Sequence, residues 1–416
     1  MLTRRGVITA TGAAAAAAVA APTFATPTFA TPETALTSLA VGAQPISVKE
    51  REQRVAKAQA LMRQRGWGGL LVEAGSTLDY FTGVRWRRSE RTTAAIVPAT
   101  GAPIVVCPFF EEPSIRETLA LGEVRTWNEA DSPFDVLAGA LRDRGGAGRP
   151  LAVEGTTRFF VLDGVRRAAG VEIVPGDAVV RACRLHKSPA ELALMQTAND
   201  ITLAALRHVH GAVETGMSSA DIAGLMDKAT AALGGEVEFS LVLLNEASAY
   251  PHGSHKPQTV GEGSVILIDS GCTLHGYQSD ISRTWIHGSA TPRQRKVWNT
   301  VKRGQEIALE TAKPGVAVGT LDDAVRRFYE AQGWGPGYRL PGLSHRTGHG
   351  IGLDGHEDAY LVHGDATPLE PGMCFSDEPG LYIPGAFGIR LEDCWHMTET
   401  GPKLFTGLAR SVEEPI

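Results

Sequence analysis

The sequence predicts two folded domains: an α/β layer domain over residues 46–184, then an α+β domain over residues 185–416 built by internal duplication. Three observations carry this reading. The 416 residues exceed what one hydrophobic core usually serves. Between Val48 and Arg184, helical and strand patterns alternate, as in layered α/β structure. After Ser188 the order helix, helix, strands runs twice, from 188 to 286 and from 291 to about 397. Two such halves are expected to pack around a pseudo-two-fold axis.

Residues 1–45 stand apart. "MLTRRGVITATGAAAAAAVAA" has Arg4 and Arg5 before a weakly apolar alanine-rich stretch, then Ala18-Val19-Ala20 and a Thr/Ala/Pro-rich spacer to Pro45. This resembles a twin-arginine export signal and implies an exported, periplasmic or secreted protein. A route that carries folded proteins would let a metal be loaded before export. Beyond it, 43% hydrophobic and 21% charged residues leave ample material for a core. The net charge of -6, without a long basic run, argues against a nucleic-acid partner. No later apolar stretch reaches the ~20 residues of a membrane span. The five cysteines are odd in number and contain no CxxC, so they read as small buried hydrophobes.

In the first domain, "KEREQRVAKAQALMRQRG" repeats Val55, Ala58, Leu61 and Met62 at helical spacing, and "WGGLLVE" follows as a strand. "TTAAIVPATGAPIVVC" reads as a hairpin turning at Thr100-Gly101, and helices are expected near Phe134–Arg144 and Phe159–Ala169. Arg181 to Lys187 reads as a short polar connector. In the second domain, "SPAE" at Ser188 and "TPRQ" at Thr291 are capping boxes with proline at the first helical position. "SSAD" at Ser218 and "TLDD" at Thr320 each signal a further helix. Strands follow in both halves: "EVEFSLVLL" and "SVILID", then "MCFSDEPG" and "FGIRLEDCWHM".

Asp269 ends an apolar strand and Asp280 follows eleven residues later. With a turn centred between Leu274 and His275 the two acids would face one another across a hairpin, at a distance where bare carboxylates repel. Glu378 and Glu392 are able to oppose in the same way across the Pro/Gly-rich loop "PGLYIPGAFG". His349, in "TGHGIG", adds an imidazole. One acid at a strand end is more often a cap or an ion-pair partner, but four at mirrored places balance two divalent cations. Oxygen-rich ligation with one nitrogen suits manganese, cobalt or zinc.

At these residues the sequence closely resembles the creatinase/aminopeptidase family of "pita-bread" enzymes, and within it the proline-specific metallopeptidases, prolidase and aminopeptidase P. The blocks occur in order as "PHG" at Pro251, "DSG...SD" from Asp269 to Asp280, "GHGIGLDGHE" at Gly348, "DEPGLY" at Asp377 and "IRLED" at Ile389. The resemblance covers about residues 46–410 and is most specific in the second domain. It implies a pita-bread fold and Asp269, Asp280, His349, Glu378 and Glu392 as ligands of two divalent metal ions, manganese first, with Asp280 and Glu392 bridging. It implies His252 and His356 as catalytic histidines and Arg390 as an organiser of the site. The implied reaction is Xaa-Pro dipeptidase-like: metal-activated hydroxide attacks the carbonyl before proline, Glu378 shuttles the proton, His356 stabilises the oxyanion, and His252 holds substrate or assists the leaving amine. The implied partner is a small peptide with proline after the scissile bond, and the implied assembly a homodimer.

Two alternatives stay open: aminopeptidase P action on longer X-Pro peptides, and a metal-free creatinase-type C–N hydrolase. Many prolidases place an arginine between the second catalytic histidine and the first glutamate ligand, whereas residues 357–377 here contain no Lys or Arg. A dipeptidase would need another cation, for which Arg85, Arg87 and Arg88 are candidates. Trp86 and Tyr382 are aromatic candidates for a proline pocket.

Overall fold

The computed structural model describes residues 35–254 and 256–416. The export-signal reading falls mainly on residues outside those described.

The first domain is a six-stranded mixed sheet in the order β4-β3-β2-β1-β5-β6. Its strands are β1 (Gly69–Glu73), β2 (Ala94–Pro98), β3 (Ile104–Pro108), β4 (Glu123–Trp127), β5 (Leu151–Val153) and β6 (Ile173–Pro175). The helices are α1 (Val48–Gln64), α2 (Ser76–Thr82), α3 (Glu112–Thr118), α4 (Pro133–Asp143), α5 (Phe159–Ala169) and α6 (Asp177–Arg184). Strands β1 and β2 are buried at every position, which is why both read as continuous apolar runs without alternation. Leu71, Ile96 and Val106 pack with Leu137 and Leu141 of α4 in one core. The β2–β3 hairpin turns about Thr100, pairing Ile96 with Ile104, and Gly101 takes the positive φ.

The second domain repeats helix, helix, sheet. Helices α7 (Pro189–His210) and α8 (Ser219–Ala232) begin at the capping boxes of Ser188 and Ser218. They precede β7 (Glu236–Leu244), β8 (Val265–Leu274), β9 (Tyr277–Gln278) and β10 (Ile281–Ile286), with the sheet order β10-β8-β7. Helix α9 (Pro292–Thr311) starts at the Thr291 capping box, and α10 (Gly319–Ala331) follows. The second sheet, β12-β11-β13-β16-β17, is formed by β11 (Gly348–Gly350), β12 (Glu357–Leu361), β13 (Cys374–Asp377), β16 (Asp393–Thr398) and β17 (Gly401–Leu404). Strands β14 (Gly380–Ile383) and β15 (Phe387–Arg390) form a separate hairpin. The five cysteines are free and buried, as expected. No helix among the described residues is long and apolar enough to cross a membrane.

Three expectations are corrected. Arg181 to Lys187 is not a solvated connector: α6 runs to Arg184, and Arg184 and Lys187 are buried against Glu357. By contrast, the helix signalled by "TLDD" at Thr320 is present as expected. Helix α10 begins at Gly319, whose N–H bonds the Asp365 carbonyl at 3.0 Å, so no side chain is needed there. The stretch "PGLYIPGAFG" is mainly the β14–β15 hairpin rather than a loop. The β8–β9 turn is His275-Gly276, with φ 50° and 88°, one residue later than expected. A two-residue hairpin turn of this hand needs positive φ at both positions, and glycine accepts it where Leu274 would not. Asp269 therefore pairs with Ser282. The partner moves by two residues, so the alternation of side chains keeps Asp280 on the same face.

The two halves are joined where β10 meets the segment from Arg390 to Asp393. Arg283 and Asp393 are both fully buried and bonded at 2.6 Å. Arg283 also donates to the Glu392 carbonyl at 2.7 Å, and the Glu392 N–H bonds the Ser282 carbonyl at 3.0 Å. Arg283→Met leaves a buried carboxylate without its cation and is expected to lower unfolding free energy by about 3–5 kcal/mol in denaturant titrations. Lys302→Met, at the surface pair with Glu306, is expected to cost under about 1 kcal/mol.

Candidate metal centre

Strand β8 delivers Asp269, and the break between β9 and β10 delivers Asp280. That break lets the Ser279 carbonyl approach Gly271 so closely that a Cβ there would lie 2.4 Å from the oxygen, which explains the glycine of "DSG". In the second half, β13 pairs with β16 through Asp377 opposite Asp393, and β14 with β15 from Gly380 opposite Arg390. Both ladders have one index sum, so Glu378 and Glu392 stand opposite at the junction, as the sequence reading expected. Pro379, lacking an N–H, sits where the ladder is interrupted. Alternation turns Glu378 toward the acids of the first half and buried Asp377 away, beneath Gln305, which donates to the Asp377 carbonyl at 3.3 Å.

The predicted ligands converge. Ligating atoms of Asp269, Asp280 and Glu392 lie within 4.8 Å of one another, as do those of His349, Glu378 and Glu392, and those of Asp280, His349 and His356. His349 directs Nδ1 to the Gly350 carbonyl at 3.1 Å. Its Nε2 lies 3.6 Å from both Asp280 and Glu378, so the tautomer protonated at Nδ1 offers a lone pair to the acids. The His356 ring stacks near it at 3.8 Å between centroids. His252 is not in the cluster. It lies on an exposed turn whose Pro251 carbonyl accepts from Arg390 at 3.2 Å.

Arg390 ties the two halves of the cluster together. It donates to Asp269 at 2.6 Å, to Ser282 Oγ at 2.9 Å and to Tyr382 OH at 3.1 Å. Ser282 in turn donates to Glu392 Oε2 at 2.8 Å. One oxygen each of Asp269, Asp280 and Glu392 remains buried without any hydrogen-bond partner. Buried acceptors are normally satisfied, and three orphaned carboxylate oxygens converging on one place suit divalent cations. Burial, then the neighbouring Asp269, pushes the Asp280 carboxyl well above its usual range. Burial and then Asp280 do the same to Glu392. Burial lifts Glu378 to about 7 against the pull of Arg390. His349 is held down at about 3 by burial and then by His356, so it is a neutral imidazole at pH 7, as a ligand must be.

The sequence reading missed several members. His345 bonds Tyr382 OH at 2.7 Å through Nε2 and the Arg346 carbonyl at 2.7 Å through Nδ1. Burial, then Arg390, holds it near 3. Its nearness to "TGHG" was the available signal, four residues before His349. Tyr382 is fully buried in this network, which corrects its reading as a pocket aromatic. Trp86 does line a cavity of about 1020 Å³ together with Arg85, Arg87, Arg88 and His356. Arg85 is near Asp79 at 3.8 Å and Glu236 at 3.7 Å, and Arg88 is bonded to Ala74 and Thr156. Glu357, beside His356, accepts from Arg184, from Lys187 at 2.9 Å, and from the N–H groups of Leu353 and Asp354 at 2.9 and 3.1 Å. That carboxylate fixes the loop carrying His356.

Two outcomes follow from these charges. Asp280 has a raised pKa in the folded state, so its ionisation destabilises the metal-free protein once pH exceeds the unfolded value. Asp280→Asn is expected to raise metal-free stability at pH 8 in denaturant titrations. Thermal melts with Mn²⁺ should reverse that order, since a ligand at a hundred times its Kd adds about 2.7 kcal/mol to the wild type. For Glu357, burial alone would raise the carboxyl, but Arg184 and Lys187 outweigh it and hold it at about 2. Its stabilisation is complete above the unfolded value near 4.5 and lost as pH falls through 2. Glu357→Gln is expected to cost about 3 kcal/mol at pH 7 and to flatten the acid limb of the stability profile.

The chain matches Metallopeptidase family M24 over residues 193–399 and the Creatinase/Prolidase N-terminal domain over residues 54–186. It is 34% identical over 370 residues to the probable dipeptidase PepE of Mycobacterium tuberculosis, covering 87% of this chain and 96% of that one. It is 32% identical over 337 residues to the Xaa-Pro dipeptidase of Lactobacillus helveticus, covering 79% and 90%. The crystal structure of dipeptidase PepE from Mycobacterium ulcerans superposes with a TM-score of 0.79 at 33% identity, covering 88% and 97%. With those extents of match, and with four acids and a histidine gathered from two stitched halves, the chain belongs to metallopeptidase family M24.

Proposed function

We propose that this protein hydrolyses the peptide bond preceding proline, acting first on Xaa-Pro dipeptides, with two divalent cations held by Asp269, Asp280, His349, Glu378 and Glu392. The observation that carries the metal-dependent reading is the set of orphaned, buried carboxylate oxygens on Asp269, Asp280 and Glu392. The proline preference is supported by the similarity to a protein named Xaa-Pro dipeptidase. Manganese suits the oxygen-rich donor set. Bound cations would supply a water acidic enough to ionise near neutral pH and a Lewis acid for the carbonyl.

The side chains divide the remaining work. Arg390 holds Asp269 directly and Glu392 through Ser282, keeping acids from both halves in register. Glu378 takes the proton released by the attacking water and returns it to the departing proline nitrogen. His356, on the open side of His349, donates a hydrogen bond to the carbonyl oxygen as it gains charge. His252, on the exposed turn held by Arg390, binds substrate at the rim. The imide nitrogen of proline offers no N–H to grip, so recognition falls on shape and on the peptide's charged ends.

A second reading, aminopeptidase P action on longer peptides, rests on the absence of Lys or Arg from residues 357–377. Export by a twin-arginine route rests on Arg4-Arg5, and a homodimer on the family resemblance. Fractionation of tagged full-length protein tests the first, and sedimentation the second.

Hydrolysis of Ala-Pro is expected with Mn²⁺, Co²⁺ or Zn²⁺ and abolished by exhaustive chelation. Persistence after chelation would establish the creatinase-type alternative. His356→Ala is expected to lower kcat about 10²–10³-fold with metal content unchanged. Comparison of Ala-Pro with Ala-Pro-Ala-Ala decides between dipeptidase and aminopeptidase.

A further inference from the structure

We propose that Arg346 is the anion anchor of the site, receiving a carboxylate of the substrate. The inference rests on the X-Pro peptidase reading above and adds a residue that neither the motifs nor the relatives' names assign.

Among the described residues, Arg346 is the one arginine withdrawn from full solvent exposure whose guanidinium has no carboxylate within ion-pair distance and no hydrogen-bond acceptor. Every other buried or half-buried arginine is taken. Arg184 has Glu357, Arg283 has Asp393, Arg326 has Asp322, and Arg390 has Asp269. Arg181, without an acid, still donates to Thr367 at 2.7 Å. Arg346 instead lies over the Tyr360 ring, 4.2 Å from its centroid. No Arg346 nitrogen is both buried and unpartnered, so its five N–H groups stay open to an incoming acceptor.

Its position places that visitor in the site. Arg346 is three residues before His349, and its carbonyl holds His345. Tyr360 is the cross-strand partner of His349 on β12 and lines one cavity of about 180 Å³ with His356. The Tyr360 ring covers the guanidinium from one side, and a guanidinium's N–H edge suits bidentate contact with a carboxylate. Among the candidates nearer the first domain, Arg85 and Arg88 already have partners and Arg87 is exposed.

A carboxylate reaches this place from either of two sources: the C-terminus of a dipeptide or the side chain of an acidic residue before proline. The test uses the Mn²⁺-loaded full chain, wild type beside Arg346→Met and Arg346→Lys. KM and kcat are measured for Ala-Pro against Ala-Pro-amide and for Asp-Pro against Asn-Pro. Calorimetry compares proline with prolinamide, and N-acetylaspartate with N-acetylasparagine, so that the anchor is read without turnover.

Loss of one charge-assisted contact predicts that Arg346→Met weakens the carboxylate member of a pair about ten- to a hundredfold, mainly in KM or Kd. The amide member should be unchanged, and Arg346→Lys should recover part of the difference. Confinement of the loss to Ala-Pro and proline identifies the terminal carboxylate. Confinement to Asp-Pro and N-acetylaspartate identifies the side chain. Carboxylate-to-amide ratios that stay within twofold of wild type in a variant of normal thermal stability would overturn the anchor. A wild type that cleaves no X-Pro peptide would instead sink the peptidase reading, while the binding ratios still decide the role of Arg346.

Discussion

The rest of this structure depends on bringing like charges from two separate chain segments into one buried place. Asp269 and Asp280 come from the first half of the second domain, Glu378 and Glu392 from the second. Nothing attracts these acids to one another, so the meeting must be enforced by neighbours. The enforcement is the join between β10 and the segment from Arg390 to Asp393. Arg283 and Asp393 form a fully buried pair, and Thr284 Oγ1 donates to the Arg390 carbonyl at 2.7 Å. These bonds set the backbone of Glu392 one residue from Asp393 and two from Arg390, directly across from Ser282. Once they form, acids of both halves share a pocket whether or not a cation is present.

Arg390 then acts as the permanent counterion. Its three donor nitrogens reach Asp269, Ser282, Tyr382 and the Pro251 carbonyl, so it links the ligand cluster to the exposed turn of His252. One cation does not neutralise four carboxylates. Burial first, and then the neighbouring acids, displaces Asp280, Glu378 and Glu392 upward. Burial works in the opposite sense on the histidines and keeps His345 and His349 neutral. The neutral imidazoles offer vacant lone pairs, and divalent cations would take the place of the protons that the buried acids otherwise retain.

A second layer of charge holds the geometry from outside. Glu357 lies between Arg184 at the end of α6 and Lys187 just before α7, so the loop bearing His356 is fastened to the passage between the two domains. Arg54 of α1 is paired with Glu191 of α7 at 3.2 Å, and Tyr277 donates to the same carboxylate at 2.7 Å. The first domain therefore reaches the site through buried ion pairs as well as through the cavity wall formed by Trp86 and the neighbouring arginines.

Local chemistry alone made much of this legible. The capping boxes at Ser188, Ser218 and Thr291 place helices because a side chain and a backbone N–H three residues on satisfy each other without help from elsewhere. The alternation of a strand puts Glu378 and Glu392 on one face, and it kept Asp280 beside Asp269 even though the hairpin turned one residue later than expected. The pairing of acids within each half was therefore written in spacing, while their meeting with the other half and with His349 was not. Distant contacts decided what spacing does not encode. Tyr382 became a hydrogen-bonded core residue because His345 and Arg390 close around its hydroxyl. The polar run from Arg181 to Lys187 became an interior lock because Glu357, some 170 residues later, supplies the charge that makes its burial tolerable. Arg346 stands out only when every other shielded arginine has found its acceptor. The partner in a long-range ion pair such as Arg184–Glu357 or Arg283–Asp393 is fixed by the fold in three dimensions, and no local pattern around either residue announces it.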